Sequence, residues 1–65
     1  MSPEVQFIFD EIARRGLSKS RVGEDAGFSR NTLYSWKTHG APLFGVKAVL
    51  NYLGYDLKIV PLPKV

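Results

Sequence analysis

Apolar residues recur along this chain at helical spacing in its first third and again near its end, with turn residues between the runs. Val5, Ile8, Phe9 and Ile12 follow the spacing of one buried stripe and predict helix 1 over residues 3–15. Ser2 is placed to cap it, Pro3 suits the first turn, and Glu4 lies at the positive end of the helix dipole. Gly16 then supplies a C-terminal stop. Phe7 lies off the stripe, where it either covers another side of a small core or meets a partner.

Over residues 17–36 the order LSKSRVGEDAGFSRNTLYSW predicts two short helices joined by a turn. Ser18 caps helix 2, with Arg21 in place of the acidic residue of a full capping box. Leu17, Val22 and Ala26 face inward, and Gly23 between them lets another helix approach closely. Gly27 ends helix 2, Phe28 enters the core, and Ser29 caps helix 3. Helix 3 is expected over residues 30–38, with Leu33 and Trp36 inside and Arg30, Asn31, Thr32, Tyr34, Ser35 and Lys37 outside. Asn31 and Thr32 are weak helix formers, so either a reading surface or a capped first turn explains them.

Thr38, His39, Gly40, Ala41 and Pro42 read as a loop. Helix 4 follows over residues 43–52, turning Leu43, Val46, Val49, Leu50 and Leu53 to the core and stopping near Gly54. Tyr55, Leu57 and Ile59 then alternate with Asp56, Lys58 and Val60, which predicts a strand over residues 55–60 before Pro61 and Pro63. A lone strand needs another edge. The same strand of a second copy is the most economical one, making Tyr55, Leu57 and Ile59 candidate dimer-interface residues. The expected fold is mainly α: one compact four-helix domain over residues 1–65 with a short C-terminal β-strand paired across a homodimer.

A chain of 65 residues has room for one small core. With no cysteine and one histidine, disulfides and cysteine-based zinc sites are excluded, and neither metal nor cofactor is expected. No apolar run approaches the roughly 20 residues of a membrane span, and no basic segment precedes an apolar one at the N-terminus. A cytoplasmic protein with no membrane partner is the expectation. The net charge of +3 is unevenly spread: residues 1–13 carry −3, residues 14–38 carry +4, and residues 39–65 carry +2. A polyanionic partner accounts for that gradient, as does a solvated basic face.

Reading the major groove of DNA requires a helix that fits it and a compact patch of donors and acceptors. Arg30 is suited to guanine, Asn31 to adenine, and Thr32 to a hydroxyl bond or a thymine methyl contact. Tyr34 and Ser35 follow on the same side, completing five candidate base-contacting residues. Phosphate contacts that hold such a helix in register are expected from Ser18, Lys19, Ser29 and Lys37. Arg21 is a further candidate, equally a solvated helix charge; Lys47, opposite the apolar face of helix 4, is a weaker one, and His39 reads as a surface residue or phosphate partner. No nucleophile has an evident base and orienter, and Glu24 and Asp25 point apart on a helix, so an enzyme is not expected.

The order Leu17-Ser18, Val22, Ala26-Gly27-Phe28-Ser29-Arg30, Thr32-Leu33 and Trp36, with Gly40 in the following loop, resembles the Cro/C1-type, or XRE-like, helix-turn-helix family. The resemblance covers residues 5–54, with the helix-turn-helix over residues 18–37, and residues 55–65 look like the terminal β extension of smaller Cro-like members. It implies a symmetric dimer whose helix 3 reads the major groove, with Arg30, Asn31, Thr32, Tyr34 and Ser35 facing bases and Lys19 facing the backbone. Three positions depart from the family pattern: Gly23 stands where alanine is usual, Lys19 where glutamine is usual, and Lys37 where glutamate is frequent. The implied activity is sequence-specific binding of double-stranded DNA at a palindromic operator, with no small-molecule effector. Repression by occlusion is the expected outcome, since the chain has no length to spare for an activation domain. The rivals are architectural or excision-type DNA binding and a protein-interaction module using Phe7, Tyr34 or Tyr55.

Overall fold

Helix α1, Pro3–Arg15, begins where the Ser2 hydroxyl accepts the Val5 N–H at 3.3 Å and ends on Gly16, as its caps predict. The structure, a computed structural model, describes residues 2–56. Three more helices follow: α2 (Lys19–Asp25), α3 (Thr32–His39) and α4 (Leu43–Tyr52). Helix α2 packs on α3, and α4 packs on α1 and α2. Their common core is Val5, Ile8, Phe9 and Ile12 of α1, Val22 of α2, Leu33 and Trp36 of α3, and Val46, Val49 and Leu50 of α4, with Leu53 beyond it. Ala26, Phe28 and Ala41 pack on its rim. None of the helices is long and apolar enough to cross a membrane.

One device ends α2 and α4. Gly27 and Gly54 have φ of 96° and 97°, a left-handed conformation that lets the chain reverse without a Cβ clash. The next N–H, from Phe28 or Tyr55, then donates to the carbonyl five residues back, Gly23 or Leu50, at 2.8 Å. Each glycine thus hands a large aromatic residue back to the body of the domain. Leu17 follows Gly16 in the same way but stays 40% exposed, so its expected inward place is not filled.

Three further expectations are corrected. Helix α3 starts at Thr32 rather than Arg30, because Ser29 and Thr32 pair through their hydroxyls and put Arg30 and Asn31 in the entering turn. Thr38 and His39 belong to α3 rather than to the loop; Gly40, whose N–H reaches the Trp36 carbonyl at 3.1 Å, is the actual stop. Leu43 is 56% exposed instead of buried, because α4 meets the Trp36 ring through Gly45, where a Cβ would lie 2.7 Å from Trp36 Cζ2. The expected C-terminal strand is not shown: Tyr55 and Asp56, its only described residues, carry no strand pairing within this copy. The rest of the expected strand, with Leu57 and Ile59, lies outside the described residues.

Candidate nucleic-acid interface

The turn between α2 and α3 is set by hydroxyl chemistry and one missing side chain. The Ser29 N–H donates to Thr32 Oγ1 at 3.1 Å, the two hydroxyls lie 3.0 Å apart, and the Thr32 N–H returns to the Ser29 carbonyl at 3.3 Å. This is half of a capping box, with threonine in the place of the usual glutamate or glutamine. The Ser29 carbonyl lies where a Cβ on Gly23 would meet it at 2.7 Å. Gly23 therefore admits the turn itself, not another helix as its position suggests. Helix α3 is held close to α2 as a result, with Leu33 and Trp36 buried beneath it.

The outer side carries the expected reading residues, unequally available. Arg30, Asn31 and Ser35 are exposed, and Tyr34 is 50% exposed. Asn31 makes no capping bond with its side chain, while its carbonyl accepts the Ser35 N–H at 3.0 Å. Asn31, Tyr34 and Ser35 are spaced three and four residues apart, so they share one face. Thr32 is half-buried and its hydroxyl is engaged with Ser29.

The expected phosphate contacts separate into groups. Lys19 is half-buried, its ammonium 5.7 Å from the Phe9 ring centre and 6.0 Å from that of Tyr34, so it joins the amino end of α2 to the outer face of α3. Ser18 is exposed and accepts the Arg21 N–H at 3.3 Å. Lys37, His39 and Lys47 are exposed, with no ion pair among the described residues. Arg21 and Arg30 lie 3.7 Å from Asp25 and 4.0 Å from Glu24. Pairs this exposed and this long are worth little, so a phosphate can displace either carboxylate.

Two polar contacts escaped the sequence reading. The Tyr52 hydroxyl donates to Asp25 at 2.9 Å, tying α4 to α2 and raising the Tyr52 pKa through that bond. Glu11 is 8% exposed and accepts Arg14 through both oxygens at 3.0 and 2.8 Å, Arg15 at 3.1 Å, and the Tyr55 hydroxyl at 3.0 Å. Its carboxyl is held at about 2, first by the Arg14 bond and against the opposing effect of burial. The three- and four-residue spacing of Glu11 to the arginines was a usable signal; Tyr55, 44 residues away, gave none. Among the described residues no group of three or more histidine, cysteine or acidic side chains is placed to hold a metal ion. No family model, curated protein or solved structure matches the chain.

Proposed function

We propose that this protein is a sequence-specific double-stranded DNA-binding regulator that inserts α3 into the major groove. The observation that carries the reading is the division of α3: Leu33 and Trp36 are buried, while Asn31, Tyr34 and Ser35 stand exposed together with Arg30 at the entering turn. A helix with its side chains is about 10–12 Å across, matching a groove about 12 Å wide. Arg30 and Asn31 supply bidentate partners for guanine and adenine, Tyr34 and the Thr32 methyl supply apolar contact, and Ser35 is short enough for close approach. Ser18, Lys19, Ser29 and Lys37 flank the helix as phosphate partners, with Arg21, His39 and Lys47 farther out.

The working unit in this proposal is a homodimer joined through residues 55–60, presenting two copies of α3 to a palindromic operator with half-sites roughly 34 to 36 Å apart. Repression follows from occupancy of a promoter. A second reading, a protein-interaction module, draws on one observation: Leu43 and Phe44 are 56% and 70% exposed at the start of α4.

Selection from randomised duplex DNA, with complexes sized and winning sites retested across salt concentrations, tests the proposal. Enrichment of an inverted repeat bound by two copies is the expected result. Salt-sensitive binding with no sequence preference would replace the regulator with an architectural protein. Folded protein that binds no DNA would leave the interaction module.

A further inference from the structure

Glu24 stands in the last turn of α2, at the negative end of the helix dipole, where a carboxylate costs stability. Its charged partner among the described residues is Arg30, across the turn, with Nε 4.0 Å from Glu24 Oε1. The neighbouring Asp25 has a use within the fold, since it accepts the Tyr52 hydroxyl at 2.9 Å and ties α4 to α2. Glu24 has none of that kind. We propose that Glu24 is a positioning residue for base reading: it holds Arg30 by its stem nitrogen and aims the end of the guanidinium at a guanine. This rests on the DNA-binding reading above and adds to it a residue outside α3.

Three observations carry the assignment. The backbone of Arg30 is already fixed, because Ser29 and Thr32 on either side of Arg30 and Asn31 are joined by the Ser29 N–H to Thr32 Oγ1 at 3.1 Å and by the Thr32 N–H to the Ser29 carbonyl at 3.3 Å. Only the side chain remains to be directed. The nitrogen nearest Glu24 is Nε, so the two terminal nitrogens of Arg30 lie farther from the carboxylate and stay free. Guanine presents O6 and N7 side by side, and those two nitrogens can donate to both while Nε stays with Glu24. The side chains of Glu24 and Arg30 are 52% and 75% exposed, so in water the pair is weak and holds Arg30 only loosely. When a duplex displaces that water, the same separation counts for more. A phosphate makes a different demand from a base. To meet one, Arg30 must leave Glu24 or bring two anions together, whereas to meet guanine it gives up nothing.

The test is selection from randomised duplex DNA, followed by competition binding on matched duplexes, with the parent, Glu24→Gln, Arg30→Ala and the double variant. Arg30→Ala should lose a guanine preference at one position of each half-site. Glu24→Gln should weaken that preference by about fivefold, the lower end of what a bidentate contact is worth, and should bind unrelated duplexes more tightly. In the Arg30→Ala background the glutamine should change no base preference, which separates an effect through Arg30 from a general one. An undiminished guanine preference in Glu24→Gln would overturn the proposal, as would an equal loss in both backgrounds or a guanine preference that survives Arg30→Ala. Each of those results leaves DNA reading by α3 in place. A parent that enriches no sequence would instead remove the DNA-binding reading, and this assignment with it.

Discussion

On α1, the Glu11 carboxylate is 8% exposed and satisfied by three side chains, whereas on α3 Asn31 and Ser35 are exposed and make no side-chain hydrogen bond among the described residues. Both regions are polar, and they put polarity to opposite use. Around Glu11 every partner belongs to the chain, and the bonds fasten Arg14, Arg15 and Tyr55 to α1. On α3 the donors and acceptors are left over, at positions where Asn31 contributes little to helix stability. Polar groups that the fold does not use are the ones available to a partner, so substitutions in the two regions ought to fail in different assays.

The largest effect is expected where the outer face of α3 depends on what lies beneath it. Trp36 is 4% exposed, and Trp36→Ala should remove roughly 3–5 kcal/mol by leaving a cavity between α3 and α4. A domain this small has little stability beyond that. Chemical denaturation would report the loss; a variant as stable as the parent would mean that α3 is not anchored by its inner face, and the contrast would collapse.

Gly23→Ala comes next. The added Cβ must displace the Ser29 carbonyl from 2.7 Å, and backbone cannot rotate away as a side chain would. Overpacking costs about 1–3 kcal/mol and alanine returns up to about 1 kcal/mol in helix propensity, so a net loss of about 1–2 kcal/mol is expected. The amino end of α3 moves with the turn, so DNA affinity should fall more than stability does. Equal losses in the two measurements would show that the turn does not position the reading face.

How much of this was legible depended on the range of the interactions. The bounds of α1 follow from Ser2, Pro3 and Gly16, and the end of α4 from Gly54, all local signals. Leu43 misled because a helical repeat says which side is apolar and not how far the core extends; Trp36 already fills the space against Gly45. The exposed face of α3 was readable from Leu33 and Trp36, whose buried places leave Asn31, Tyr34 and Ser35 outside. That the Thr32 hydroxyl serves Ser29 was not, since threonine suits a cap and a base contact equally. The contacts of Tyr55 with Glu11 and of Tyr52 with Asp25 join residues 44 and 27 apart, beyond any local pattern.

Within the proposed interface, two substitutions sharpen the distinction between reading and holding. Asn31→Ala should cost about 1–3 kcal/mol at the preferred site and relax one base position, with stability changed by no more than about 0.5 kcal/mol. Lys19→Ala should weaken all sequences alike and reduce the salt slope by about 0.9, the release of one phosphate contact. Binding isotherms across salt concentrations separate the two. If Lys19→Ala instead alters base preference at the position Tyr34 reads, its ammonium acts by holding the Tyr34 ring rather than by meeting a phosphate.

The smallest effect is expected from Glu11→Gln, because two thirds of the Arg14 side chain, at 65% exposure, stays in water that screens the pair. Its value lies in its pH dependence. The Glu11 carboxyl is lowered from an ordinary 4.5 to about 2, so folding binds fewer protons than the unfolded chain does between those values. The stabilisation it provides is therefore complete above about pH 4.5 and is lost as pH falls toward about 2. Glutamine keeps the shape and a hydrogen-bond acceptor but cannot titrate. Thermal unfolding followed from pH 7 downward should find the variant less stable at neutrality, with the two curves converging by about pH 2. Parallel curves over that range would mean that Glu11 is not the carboxylate fastening this side of the fold. In the DNA selection the same variant should choose the parent's sites, since neither Glu11 nor its partners belong to the proposed reading face.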